Sequence, residues 1–305
     1  MESRGLEPIL DLLDLQSLLQ EVFPNSERYR NLEYLAWQYE QCPSGRVVSA
    51  DCHDGAGITG HYALVPQRWL REGTPAVFAL SLNTAVAARA RGRGVFTDLA
   101  SEAYQLAAEQ GVDTIIGVAN ANSTPGFVRR LGFDRIGSLP VIAAPNLPAR
   151  TRAVQLDLDE VRADSILATQ VDHTDTRRRW DKDELHWRLR DPNQRFVIIR
   201  LEDALVIACL ARVHRIRFAI IAKVFARPLD GPVRARAVVG SVCWALRVPF
   251  AVYAGFNPHF EPTGVPVPIR FRPSPLNLIV RSLVSEPTST DLRPDCYEFL
   301  DFDAY

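Results

Sequence analysis

The sequence predicts an α/β protein built from two tandem copies of one domain. Three observations carry this. A strand, a glycine-containing loop and a long amphipathic helix follow one another between Ala76 and Gln110. The same order of elements recurs in the second half. The 305 residues, 47% hydrophobic and 23% charged, suffice for two domains with real cores.

The elements run as follows. Apolar residues fall at helical spacing in Ile9–Phe23 and again in Tyr29–Tyr39. Arg46–Cys52 and Ile58–Pro66, joined by Asp54-Gly55-Ala56-Gly57, predict a β-hairpin. Ala76–Ala87 is a further strand. The helix Val95–Gln110 is closed by Gly111, at a position that favours the left-handed backbone. Asp113–Ala119 has the short apolar run of a buried strand. A short helix near Pro125–Leu131 and a strand Phe133–Ala143 complete the unit. Pro145, Pro148 and Arg150–Arg152 look like a linker, dividing the chain into domains 1–145 and 146–305.

The second half repeats these landmarks. Trp37 with Pro43 corresponds to Trp187 with Pro192. Phe196–Leu201 and Leu205–Arg212 match the hairpin, and Phe218–Ala226 matches the strand Val77–Ala87. Val233–Arg247 matches the long helix, and Phe250–Asn257 matches Thr114–Asn120. A period of about 140 residues is too long for a solenoid unit and fits a duplicated domain. Trp37, Trp187 and Trp244 are expected to be core or interdomain anchors.

Charge and cysteine content exclude several classes. With Lys+Arg 35 against Asp+Glu 36, the net charge of −1 gives no basic excess for tracking nucleic acid. The five cysteines form no CxxC pair and are odd in number, which argues against a disulfide framework, zinc or any other metal site. The first residues lack a signal-peptide pattern, and no apolar run approaches the ~20 residues that span a bilayer. A cytoplasmic protein without membrane insertion is expected.

The chemistry concentrates in Arg89-Ala90-Arg91-Gly92-Arg93-Gly94, between a strand and the N-terminus of the helix that starts at Val95. Glycines let a backbone approach a ligand closely. Free N–H groups at a helix start, with its partial positive charge, suit a pyrophosphate. Arg89, Arg91 and Arg93 can add charge at the rim. A Walker loop would need a terminal Gly-Lys-Ser/Thr, and a dinucleotide fingerprint a third glycine where Thr97 stands.

This segment resembles the coenzyme A motif of the GCN5-related N-acetyltransferase (GNAT) superfamily, Gln/Arg-x-x-Gly-x-Gly/Ala, at every position. The resemblance continues through a strand ending at Ala119, the polar Asn120-Ala121-Asn122-Ser123, and Leu131-Gly132-Phe133. It implies two tandem domains, each a twisted mixed sheet flanked by helices, with parallel strands 81–86 and 114–119 splaying into a V. It implies acetyl-CoA or another acyl-CoA as cosubstrate, bound at Ala85, Val86, Arg89, Arg91, Gly92, Arg93, Gly94, Val95, Asn120 and Asn122. It also implies direct attack by an acceptor amine, with backbone N–H groups near Val86 stabilising the oxyanion.

Two departures bear on mechanism. The tyrosine that protonates the leaving thiolate in many such enzymes is here Val128. The thiolate then leaves unassisted, or the acid comes from elsewhere. In the second copy the glycine motif is replaced by the proline-bearing Arg227–Pro232. Prolines remove backbone donors, so one coenzyme per chain is expected, with the second copy shaping the acceptor site. The general base is sought in Asp301 or Asp303, after a final strand near Tyr297, with His61 and His259 as alternatives. The whole chain resembles tandem GNAT-like proteins found with surface-polysaccharide genes, which implies a small amine acceptor, an amino sugar carried or not on a nucleotide. Another amine (antibiotic, amino acid or protein terminus) or a non-catalytic acyl-CoA-binding role is the alternative. Neither the acyl length nor the oligomeric state, a homodimer included, is fixed.

Overall fold

The computed structural model describes residues 11–55, 57–148, 152–161, 176–226, 233–284 and 292–302. Helix α1 (Leu12–Val22) starts at Asp11, whose carboxylate accepts from the N–H groups of Leu13 and Asp14. A 3₁₀ turn, Glu27–Arg30, separates it from α2 (Leu32–Glu40). The predicted helix from Tyr29 is thus interrupted, because Asn31 leaves helical geometry to cap α2 through its side chain. None of the described helices is long and apolar enough to cross a membrane.

The first sheet contains β1 (Val48–Asp54), β2 (Gly57–Arg71), β3 (Thr74–Val86) and β4 (Thr114–Ala119). Beside β4 stands β14 (Asn277–Ser282), then β5 (Asp134–Ser138) at the edge. Helix α3 (Val95–Glu109) covers one face through Leu99, Ala100, Ala103, Tyr104 and Ala107, the stripe its periodicity predicts. Helices α1 and α2 cover the other face.

The second sheet repeats this plan. It consists of β7 (Val154–Leu156), β9 (Phe196–Arg200), β10 (Ala204–Val213), β11 (Ile216–Ala226), β12 (Phe250–Phe256), β6 (Val141–Pro145) and β13 (Val265–Pro266). Helix α6 (Ala235–Leu246) packs on its outer face. Its inner face joins the core that also holds α1, α2 and residues of the first sheet. Short α4 (Thr124–Arg130), α5 (Lys182–Leu189) and β8 (Arg177–Arg178) complete the connections.

Several expectations need correction. Phe133–Ala143 is not one strand but two, β5 and β6, in different sheets. Pro140 lies between them and has no N–H to continue a ladder. The division at 145/146 is crossed in both directions: β6 of the first half pairs with β12, and β14 of the second half pairs with β4. Each sheet is thus completed by the other half. Trp37 and Trp187 mark the symmetry. Their rings stack at 4.8 Å, and each indole N–H donates to the other's carbonyl, at 2.8 and 3.0 Å. Trp244, by contrast, is 81% exposed on α6 and anchors nothing among the described residues. The final strand β15 is only Tyr297–Glu298, followed by a 3₁₀ turn, Phe299–Asp301.

Candidate functional site

Strands β3 and β4 are parallel and pair only from Phe78–Leu80 to Thr114–Ile116. Beyond that point they no longer pair with each other and open a V, while β3 stays paired with β2 as far as Val86 and β4 with β14 as far as Ala119. A bulge in β3 lies against His61–Ala63 of β2, and there Asn83 takes a left-handed φ of 49°. Such a conformation is unfavourable for a side-chain-bearing residue unless its surroundings fix it. Here they do. The Asn83 amide donates to Gln38 Oε1 (2.7 Å) and Tyr39 Oη (3.1 Å), and its oxygen accepts from Tyr29 Oη (3.0 Å). Behind them, Tyr39 Oη and His61 Nε2 are 2.7 Å apart, and His61 Nδ1 lies 2.6 Å from Asp51. The Asp51 carboxylate can only accept, so Nδ1 carries the proton, and in the neutral ring Nε2 accepts from the Tyr39 hydroxyl. Burial pushes the Tyr39 hydroxyl well above its ordinary pKa. His61 is therefore a buried support for Asn83 and does not reach the cavity.

At the mouth of the V, Gly92 and Gly94 take φ of +78° and +81°. Gly94 caps α3 without a side-chain hydrogen bond, so the N–H groups of Val95 and Phe96 have no intrahelical acceptor. A Cβ added at Gly92 would enter open space. This concave run of N–H groups fits a pyrophosphate. Arg91 lies at the cavity and donates to the Val86 carbonyl at 3.0 Å. Arg89 is instead ion-paired with Asp54 and Glu21, both at 3.0 Å, and these carboxylates raise its pKa further. Arg93 is exposed, Val95 packs into the α3 core, and Ala85 is buried opposite His61. Asn120 and Asn122 line the cavity; the Asn120 carboxamide oxygen accepts from the N–H groups of Asn122 and Ser123.

The V opens into a cavity of about 1780 Å³. Ser81–Thr84, Val86, Phe96, Gly117–Asn120 and Phe127 line it from the first half. The inner face of the second sheet and the segment around Val267–Leu276 line it from the second. Glu27, Arg28 and Gln194 also border a smaller polar recess of about 380 Å³, with Ser26, Tyr34, Asp191 and Asn193. Among the described residues, Glu27 is the only carboxylate that lines the cavity. It sits on the 3₁₀ turn Glu27–Arg30, and nothing in its local sequence marks it.

The equivalent V of the second copy is filled. Strands β11 and β12 pair only from Ala219–Ile221 to Ala251–Tyr253, and β15 then adds onto β12 at Gly255 and Phe256. A Cβ at Gly255 would fall 2.1 Å from the Tyr297 carbonyl, so this approach needs glycine. The Glu298 carboxylate accepts from the Val224 N–H (3.3 Å), Tyr253 Oη (3.1 Å) and Asn257 Nδ2 (3.2 Å). Lys223 Nζ lies 3.0 Å from Glu298 and 2.6 Å from Asp301. Asp301 also accepts from the Trp180 indole at 3.0 Å and is fully buried. It does not come to the acceptor side: Lys223 and the Glu298 N–H hold it inside this plug. Asp303 and Arg227–Pro232 lie outside the described residues. His259 donates its backbone N–H to Asn257, and Val128 is on the outer side of α4; neither lines the cavity.

Residues 11–136 match the model of the acetyltransferase (GNAT) domain. No curated protein sequence matches. Among solved structures, a GCN5-related N-acetyltransferase from Anabaena variabilis aligns with a TM-score of 0.63 at 13% identity, over 90% of this chain and 70% of that one. One from Kribbella flavida aligns at 0.61 and 13%, over 89% and 68%. A tandem GNAT protein from the clavulanic acid biosynthesis pathway aligns at 0.55 and 11%, over 90% and 96%. At such identities the likeness concerns the fold, which is that of two GNAT-like domains.

Proposed function

We propose, from the premise that this chain is an N-acyltransferase built around the acetyltransferase (GNAT) domain of residues 11–136, that it carries an acyl group from coenzyme A to the amine of a small polar acceptor. The observation that supports this best is the continuity of three features. The Gly92–Gly94 cradle leads into the V between β3 and β4, and the V leads into the shared cavity. The N–H groups at the start of α3, with Arg91, would hold the pyrophosphate. The unpaired edges of Ser81–Val86 and Gly117–Ala119 would receive the pantetheine arm. The thioester supplies the activated acyl group.

The acceptor is placed in the polar recess beside Glu27 and Gln194. Its size suits a single amino sugar, while a nucleotide carrier would have to extend outward. Another small polar amine fits the same recess. Glu27 is the candidate base, since an ammonium must lose a proton before it attacks. Glu27→Gln should lower kcat by ~100-fold, the low end for a positioned base, and leave coenzyme A affinity within about threefold. Steady-state kinetics with free-thiol detection measures both; an unchanged kcat removes Glu27 from the mechanism. Use of coenzyme A thioesters makes the cytoplasm the expected setting.

With Glu298 in the second V, titration should give one coenzyme A per chain. Two equivalent sites by calorimetry would contradict this. The decisive functional test is thiol release from acetyl-CoA and longer acyl-CoAs over a panel of amines that includes amino sugars. Thioester binding without release for any amine would mark a binding protein instead.

A further inference from the structure

The second half gives the cavity a wall of one chemical kind. Side chains alternate along a strand, and one face of β10, β11 and β12 presents Cys209, Ile216, Phe218, Ile220, Phe250 and Val252 to the cavity. All are apolar in character; burial pushes the Cys209 thiol up to about 12, so it stays neutral. Phe218 and Phe250 stack at 5.4 Å with nearly parallel planes. The opposite face of the same strands is sealed by α6, whereas Phe218, Phe250 and Val252 are only half-buried and Ile216 is 58% exposed. Protein cores are close-packed, so a large apolar surface left open inside a substrate cavity calls for a ligand to cover it.

From Ile220 to Ile216 the row extends ~13 Å along β11, at about 3.3 Å per residue. That is several times the length of an acetyl group. The adjoining recess, where the acceptor is placed, carries the polar side chains of Glu27, Gln194, Asp191 and Asn193. Arginines 212 and 272 border the apolar branch and donate to the carbonyls of His214, Val267 and Leu139. Their positive charge disfavours a cationic alkylamine there.

We infer that the apolar wall receives the hydrocarbon chain of a medium- or long-chain acyl-CoA, which runs from the V along β11 while the acceptor amine approaches from the polar recess. This rests on the function proposed above and specifies its donor. The acetyl group then fills only the innermost part of the site.

The test is calorimetric binding of acetyl-, hexanoyl- and decanoyl-CoA to the full chain, which needs no acceptor. Each buried methylene contributes up to roughly fourfold in affinity, so decanoyl-CoA should bind at least ~100-fold more tightly than acetyl-CoA. Phe218→Trp, which fills the row, should cut that ratio at least ~10-fold. Ile216→Arg, at an exposed position that tolerates change, should reduce the gain from the outer methylenes. A second series, alkylamines of rising length added to the acetyl-CoA complex, should show no comparable gain. Equal affinity for acetyl- and decanoyl-CoA would overturn the inference and leave the coenzyme A site standing. A length gain confined to the amines would assign the wall to the acceptor and overturn it too. Binding of none of the thioesters would overturn the proposed function and this inference together.

Discussion

Gly94→Glu should raise the dissociation constant of coenzyme A by at least ~100-fold. Gly94 has φ of +81°, where a side chain costs ~1–2 kcal/mol. The new carboxylate would also stand at the anion-binding end of α3, and a like charge ~4 Å from a phosphate costs between about 1 and 4 kcal/mol. The upper part of that range alone exceeds the ~2.7 kcal/mol that corresponds to 100-fold, while the φ strain lowers stability rather than affinity. Gly111, at the other end of the same helix, separates the two causes. It has φ of +82°, with nothing within 4 Å of an added Cβ. Gly111→Ala should therefore cost ~1 kcal/mol of stability and leave coenzyme A affinity unchanged. Calorimetry on both variants, with a melting curve for each, decides the matter. Wild-type affinity in a folded Gly94→Glu protein would remove the cradle from Gly92–Gly94.

Lys223→Met should destabilise the chain by ~3–5 kcal/mol, the usual cost of leaving buried charges without their partner. Lys223, Glu298 and Asp301 are all buried, and the ammonium is the positive charge within 3.0 Å of both carboxylates. The loss should depend on pH. Burial already holds the Glu298 carboxyl above its ordinary pKa, and Lys223 is the largest influence opposing that rise. Without Lys223 the carboxyl should rise further. A carboxyl with a raised folded-state pKa takes up its proton first in the folded protein, so stability recovers as pH falls through that interval. In the wild type, Lys223 has a raised pKa through its neighbours Asp301, Cys296 and Glu298, which outweigh burial. Its contribution is therefore complete below the unfolded value of ~10.4 and is lost only as pH rises through the folded one. Urea unfolding should show the deficit of Lys223→Met shrinking as pH falls from neutral towards the ordinary carboxylate range. A deficit that is small, or that does not change with pH, would mean the plug is held by its hydrogen bonds and apolar contacts alone.

The filled second V gives the duplicated fold its division of labour. Copy one keeps an open V and a glycine cradle. Copy two closes its V with Glu298 and turns the inner face of its sheet to the shared cavity. The Trp37–Trp187 pair and the exchanged strands β6 and β14 bind the copies together. A stacked aromatic pair contributes ~0.5–1.5 kcal/mol beyond its burial, and here it also fixes the relative position of the two α2-like helices.

By itself the sequence determined what depends on neighbours along the chain. The glycines at 92 and 94, the helix from Val95, the closing Gly111 and the strand to Ala119 are local signals, since backbone conformation and hydrophobic period are set within a few residues. The duplication was legible for the same reason, because each copy carries its own landmarks. The split of Phe133–Ala143 was not. Both pieces have strand character, and only the sheet that each can pair with separates them. Glu27 and His61 show the same limit from opposite sides. A carboxylate on the short turn between α1 and α2 lines the cavity, while a histidine in the hairpin is turned inward to Tyr39 and Asp51. Asp301 had the right chemistry for a base, but its environment is set by Lys223, seventy-eight residues away in sequence. Tertiary structure alone decided these placements, because the charges and solvent around a side chain are set by long-range packing.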